Sequence, residues 1–545
     1  MFTDALGLTL KLTISGQSFT IPGGNVRSWA VDLHSWGFRG RAAFVVSSEM
    51  ETDSLFSSFT TTDLISVSLQ ITPQFQPPNT QMNPLSLQGL VTRKAIPVEQ
   101  TIVRGPLEGN PLLYRLYEVE FADPAQVLWR QHFPYDLLVG KSMKDLLDAH
   151  KGSLVTLTTT WDALTTAVPV LALCLGMEAG GASFYDFVMW YVFTQNGVWT
   201  YDATQNSYTL AASKSAEGSP ANIDRQAVES VRIEFPETPR NNVNVLNAYS
   251  ENPQNQTVTN QSAAGGVHCD ALGRYPVAAD FTNRQTLETA RLKIRSHELK
   301  LTFCQYPYMT YSTGTLVQLQ GGLWSSVLFP QGKTYRVRSI HIEAAASDAE
   351  LTADHNMSFT RYDVTMTSQL ETKEETWVAL PPFLTPQYPL LVEGKVLSEQ
   401  GEQTAETYQV YQDAQTSQQQ YKVTIPLWNN QQVVAPFEPF IHSGHFYFPA
   451  YKNARVLVAL DFQAARIVGC LDWRPEASLT NDSQGNQLFM GQSATSRTAL
   501  KHTYVNSLPV FSMERLADKD TESITFSDGS LVLQTVEQKD GGSGS

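Results

Sequence analysis

Gly140-Lys141-Ser142 has the ending of a phosphate-binding loop, in which backbone amides cradle phosphate oxygens, the lysine reaches the outer phosphates and the hydroxyl holds magnesium. That cradle needs a glycine five residues before Gly140, and Tyr135 stands there, so the backbone cannot curl round a phosphate. Ser142 reads instead as a helix cap. His442 and His445 could contact one metal, but residues three apart on a strand face opposite sides, and no cysteine or third histidine is near in sequence. His268 and Cys269 are adjacent and cannot both aim at one ion. Asn255, Asn260, Asn356 and Asn481 open glycosylation-type triplets, which matter only in a secreted eukaryotic chain. A glycosidase needs two carboxylates about 5 to 10 Å apart in a folded cleft. The interval from Asp472 to Leu508, rich in Ser, Thr, Asn and Gln, is too short to supply one. No G-x-S-x-G elbow is present. The expectation is therefore no catalytic residue, no cofactor-binding residue, no metal ligand, no cofactor and no enzymatic activity.

The elements around these residues read as mainly β. Charged residues are 17% of the 545, below the roughly 25% usual for soluble domains. Abundant Thr, Ser and Gln suit strands with one polar face. The length implies several domains. A formal charge of −15, with no clustered Lys and Arg, excludes a phosphate-binding surface and hence nucleic acid as a partner. Cys174, Cys269, Cys304 and Cys470 lack C-x-x-C spacing, and they are expected to be buried and reduced. The first residues alternate Leu8, Leu10, Leu12, Ile14 and resemble a first strand, not a basic and apolar signal peptide. The longest apolar stretch, 167–177, contains Pro169 and falls short of the ~20 residues of a membrane helix.

Alternation over 8–14, 29–33, 41–46, 64–71, 87–91 and 114–121, with Gly, Pro and Asn in the gaps, predicts a barrel or sandwich. Ser142 and Asp145 open a helix in capping-box form, with Met143, Leu146 and Leu147 on one face and Gly152 as its stop. Ser183 and Asp186 open a second, over 184–193, closed by Asn196-Gly197 and followed by a hairpin of 198–201 and 208–210. Residues 214–225 read as a linker and 250–266 as a long exposed loop. Strands resume at 231–235, 243–249, 298–303, 316–319 and 334–344, and prolines 381, 382, 386 and 389 mark a further boundary. The stretch 436–473 then reads as sheet: His445 to Phe448, Val456 to Leu460 and Ile467 to Leu471 are short β-branched or aromatic runs separated by turns.

That last order, aromatic strand, proline, turn, Val-Leu-Val-Ala-Leu strand, short loop and Ile-Val-Gly strand, resembles the OB-fold of VgrG and phage baseplate hub-spike proteins of contractile injection systems. The stretch 183–211 resembles the same family's segment of a helix leading into an aromatic strand and a returning strand, with Phe187, Tyr191 and Gly197 on its characteristic positions. Asp518, Lys519, Glu522 and Ile524, followed by Asp528-Gly529 and Leu531 to Leu533, resemble the start of the family's trimeric β-helix needle. The chain departs from the family pattern at Tyr451 to Asn453 and Phe462 to Ala464, which favours an extracellular injection system over a type VI apparatus.

The resemblance implies two hub β-barrels at 1–135 and 216–375, an α+β insertion at 136–215, an OB-fold domain at 384–475, a linker at 476–510, a needle start at 511–540 and a flexible linker at 541–545. It implies a structural hub-spike that caps the inner tube as a homotrimer and pierces the target envelope on contraction. Two equivalent barrels per chain would let a threefold spike meet a sixfold tube. The implied partners are the inner tube protein, baseplate proteins, a PAAR-like tip protein and effector cargo, with the target membrane met only on piercing. Assembly would take place in the bacterial cytoplasm, before delivery as part of a particle. The apolar stripe Ile524, Phe526, Leu531, Leu533 and Val536 is too short to bury itself in one chain, which independently points to a trimer. Two other readings stand beside this one: a cell-wall or polysaccharide hydrolase with β-rich accessory modules, and a glycan-binding adhesin.

Overall fold

A computed structural model describes residues 1–49, 53–76, 82–102, 112–176, 180–215, 218–348, 350–401, 408–436, 450–471, 485–493, 496–506 and 508–537. The chain is mainly β and divides into two compact units. The first comprises Met1–Phe133, Leu147–Thr165 and Leu175–Pro386; the second comprises Pro134–Leu146, Thr166–Cys174 and Gln387–Ser545.

The first unit is built on period-two alternation. Leu6, Leu8, Leu10, Leu12 and Ile14 of strand Phe2–Ile14 are all buried, and they face the same core as Ile65, Val67, Leu69 and Ile71 of the neighbouring strand Ile65–Pro73. Every strand expected before residue 122 lies within an observed one, save that 64–71 begins one residue ahead of Ile65–Pro73. The long hairpin of Thr334–Ala346 and Phe359–Thr372 decides the topology. Ser339 to Ala345 pair with strand Val26–His34, and Phe359 to Val364 pair with Phe2–Ile14, closing a ring of eight strands. The other end of the hairpin pairs with Leu316–Gln318 and Glu298–Phe303, and forms a six-stranded half-barrel with Ala221–Asn222 and Val228–Glu234. The eight-stranded ring and the half-barrel are thus fused through one hairpin. Boundaries at 135 and 216 cut across a single 13-stranded sheet, because pairing partners far apart in sequence carry no local mark.

Both capping boxes form. Ser142 and Asp145 exchange hydrogen bonds at the start of helix Met143–His150, and Ser183 and Asp186 do so at the start of Phe184–Thr194. Asn196 at positive φ ends the second helix, and the hairpin Val198–Asp202 with Ser207–Ala211 follows. The stretch 250–266, expected as a loop, contains strand Gln254–Val258, which joins Asn242–Asn247 and His268–Gly273 under helix Ala278–Arg291. That helix is absent from the sequence reading. It is rich in threonine, has no side-chain cap, and Phe281 is its one buried apolar residue, so it shows no apolar stripe.

In the second unit, strands Leu390–Leu397, Gln419–Ile425, Gln431–Pro436, Arg455–Leu460 and Ala465–Cys470 send alternate residues into one core around Val396, Tyr421, Val423, Val456, Val458 and Ile467. Gly394 is required by close approach, since a Cβ there would lie 2.4 Å from Val423 Cγ1. Leu137, Val170 and Ala172 join this core from the hairpin of Tyr135–Ser142 and Ala167–Cys174, and Ala172 N–H donates to Phe462 O at 3.0 Å. The stretch 136–215 is therefore shared between the two units. The aromatic run His445 to Phe448 lies outside the described residues. The stretch 476–510, expected as a linker, carries strands Gly485–Ser493 and Ser496–Val505.

Among the described residues no helix is long and apolar enough to cross a membrane. All four thiols are free. Cys174 is buried, but Cys269, Cys304 and Cys470 are exposed, against expectation. Cys304 follows the last residue of its strand and Cys470 is the last residue of an edge strand, positions where an apolar run no longer implies burial.

Candidate functional site

Ser142 and Asn260, which looked chemical, make structural hydrogen bonds in the fold. Ser142 Oγ lies 2.8 Å from Asp145 Oδ2, and Gly140 at φ +63° turns the chain without forming a cradle. His268 is exposed, with Asp270 at 3.7 Å. Asn260 is buried and donates to Pro239 O and Asn241 O. Asn255 lies in strand Gln254–Val258, and Asn356 sits at positive φ. His442, His445 and Asn481 lie outside the described residues. Among those described, no group of three or more His, Cys, Asp or Glu could hold a metal ion.

The most completely buried carboxylate is Asp123, which is a pin. It caps helix Pro124–Trp129, accepts from Phe38 N at 2.9 Å, Gln126 N at 3.1 Å and Tyr208 Oη at 2.5 Å, and stands beside the rings of Trp129, Trp199 and Tyr208. Burial pushes its carboxyl above the ordinary range, against the pull of these donors. Each of its oxygens is occupied, and the reading is structural.

The C-terminal sheet is different. Gly485–Ser493, Ser496–Val505, Leu508–Ala517, Asp520–Ser527 and Ser530–Val536 form an antiparallel meander in chain order. Asn506, Asp518 and Asp528 enter its last three turns at positive φ, the backbone state a two-residue hairpin requires. The register then aligns one apolar rank across all five strands: Leu488, Leu500, Met513, Ile524 and Leu533. His502, Phe511, Phe526 and Leu531 form the next rank, with the two phenyl rings 6.1 Å apart. A third rank on this face holds Arg515 and Glu522, paired at 2.9 Å. The opposite face carries Ser512, Ser523, Thr525 and the Lys501–Glu514 pair at 2.9 Å.

The apolar face is open to solvent. Met513 is 41% exposed, Phe526 47% and Leu533 71%, and every residue of the edge strand Ser530–Val536 is exposed. A contiguous apolar face of this kind beside an open strand edge has the character of an interaction surface. Ile524, Phe526, Leu531 and Leu533 lie on this face as expected. Val536 does not: it pairs with Thr521 and faces the other side. Leu488, Leu500, Phe511 and Met513 went unread as members of the face. The recurrent Asn or Asp turns at 506, 518 and 528 were the signal that could have revealed them.

No family model and no curated protein matches the sequence. Solved structures do match in fold. A Francisella PdpA–VgrG complex in a half-lidded form aligns at TM-score 0.72 with 12% identity, covering 98% of this chain and 88% of that one. A lidless PdpA–VgrG complex aligns at 0.72 with 11% identity, covering 98% and 99%. An E. coli component of the type VI secretion system, described as structurally similar to phage T4 tail proteins gp27 and gp5, aligns at 0.47 with 12% identity over 85% of this chain and all of that one. Across nearly its whole length, the chain has the fold of chains in the VgrG complexes.

Proposed function

We propose that this chain is the central hub-spike of a contractile injection system, a structural protein that acts as a homotrimer. The exposed apolar face of the C-terminal sheet carries the proposal. Three such sheets turned toward a common axis would bury the Leu488-to-Leu533 rank and the phenylalanine rank together, and would bring open strand edges side by side. The order of fused hub barrels, OB-type sheet and C-terminal meander, together with the fold likeness to chains of the VgrG complexes, supports the same reading. On it, the fused barrels face the inner tube protein and baseplate proteins, the meander ends toward a PAAR-like tip protein, cargo rides with the particle, and contraction drives the assembly through the target envelope. A structural role is favoured over a catalytic one, since the buried carboxylate most likely to attract attention, Asp123, is fully hydrogen-bonded inside the fold.

Light scattering on the full chain tests this reading. The expected mass is that of three copies of the 60.5 kDa chain. A monomer at micromolar concentration, with the meander intact, overturns it. Incubation with peptidoglycan is expected to release no product, and release would revive the hydrolase.

A further inference from the structure

The first unit holds a groove of about 510 Å³ whose chemistry the trimer does not use. Its walls come from the end of helix Phe184–Thr194, from the end of helix Ala278–Arg291 with the extended chain after it, and from residues 377–380. Arg291, Lys293 and Arg295 follow one another at alternate positions along that chain and line the groove.

Two of these cations are spoken for. Arg291 donates to Glu288 at 3.0 Å, and Arg295 pairs with Glu298 and, at 3.9 Å, with Glu375. Lys293 is not: its ammonium donates to Thr376 O at 2.8 Å, and among the described residues no carboxylate lies within ion-pair distance of it. Burial, and then the nearby Lys214, hold its pKa below the ordinary lysine value, against the weaker pull of Glu375, which lies beyond ion-pair distance. Beside it are apolar walls. Phe193 is 53% exposed with the Arg291 guanidinium over its ring, and Trp377, stacked under Arg295 at 3.8 Å, adjoins Val378 and Leu380.

We propose that this groove docks an acidic peptide segment of a partner protein, in which an aspartate or glutamate stands next to an aromatic residue. The carboxylate would complete Lys293, and the neighbouring ring would lie on Phe193 and the Trp377 wall. One ammonium held within hydrogen-bond distance by a backbone carbonyl, with Glu375 acting on it only at longer range, suits one carboxylate. A polyanion is disfavoured by Glu237 and Glu288 in the same lining and by the chain's charge of −15. The proposal stands whether or not the chain trimerises.

The test is fluorescence anisotropy of a dye-labelled hexapeptide, Gly-Phe-Asp-Glu-Phe-Gly, on the full-length protein. The control peptide carries Asn and Gln in place of Asp and Glu. Saturable, salt-sensitive binding of the acidic peptide is expected. Lys293→Glu should weaken it about tenfold or more, the scale of one lost charge-assisted hydrogen bond. Lys293→Arg should retain it, and Phe193→Ala, a change at a half-exposed side chain, should weaken it without disturbing the circular dichroism spectrum. Equal binding of the amide peptide, unchanged binding by folded Lys293→Glu, or full competition by inorganic phosphate overturns the proposal. A change of oligomeric mass in Lys293→Glu also overturns it, by making the occupant another copy of this chain.

Discussion

Single side chains carry two separable loads in this protein, one internal and one directed outward. Asp123 holds helix Pro124–Trp129, strand Gly37–Glu49 and strand Ser207–Ala211 to one carboxylate. Asp123→Ala leaves the buried Phe38 and Gln126 amides and the Tyr208 hydroxyl without their acceptor, and it should destabilise the first unit by about 3 kcal/mol or more. Urea unfolding followed by tryptophan fluorescence reads this directly, because Trp129 and Trp199 adjoin the site. Ile524 and Leu533 face outward as register partners. Ile524→Asp with Leu533→Asp forfeits about 2 kcal/mol of apolar burial per side chain in an assembled trimer and adds buried charge. The pair should shift the mass toward monomer in light scattering, while the melting of the OB-type sheet stays unchanged. If the mass stays trimeric, the apolar face is not the interface.

Whole elements show the same division. The shared hairpin Thr334–Ala346 with Phe359–Thr372 contributes to both hub barrels, so neither barrel can lose it and persist. The meander is its opposite, a run of local hairpins that pairs only with itself. Removal of residues 511–545 should therefore abolish or weaken the proposed trimer and leave the core around Val423 and Val458 folded. Size-exclusion mass and the near-ultraviolet circular dichroism spectrum report the two effects separately.

At the scale of the molecule, near-neutral pH acts on the first unit through four of its histidines. Burial holds His34, His132, His297 and His355 below their ordinary value of 6.5, helped at His132 by His150, at His297 by Lys333 and at His355 by Arg27. An unfolded chain takes up protons at these histidines as pH falls through 6.5, whereas the folded chain resists until lower pH. Their contribution to stability is thus complete above 6.5 and is lost as pH falls through the depressed folded values. The melting temperature of the first unit should drop between pH 7.5 and 5.5, and His297→Gln should flatten that dependence. A melting temperature that rises over this interval would contradict the burial assigned to these rings.

How much of this was legible in the sequence depends on the range of the interactions concerned. Ser142 with Asp145, Ser183 with Asp186, the alternation of Leu6 to Ile14 and the Asp528-Gly529 turn are written within a few residues, because caps, period-two burial and turns are local backbone physics. The fusion of the two barrels depends on Ser339 meeting His34 and on Phe2 meeting Val364, pairings that leave no mark near either residue. Helix Ala278–Arg291 forms by packing Phe281 on Val243, Val245 and Val258, not by an amphipathic stripe of its own. Lys293 looked like any other lysine until folding set it in one groove with Phe193 and Trp377, with Thr376 O as its hydrogen-bond acceptor. By itself the sequence determined the position of most strands in the first 122 residues, where two helices begin and that the C-terminal stripe is apolar. Only the tertiary structure decided which strands share a sheet, which residues join that stripe and what surrounds Lys293, because those outcomes depend on register and on contacts that leave no mark in the local sequence.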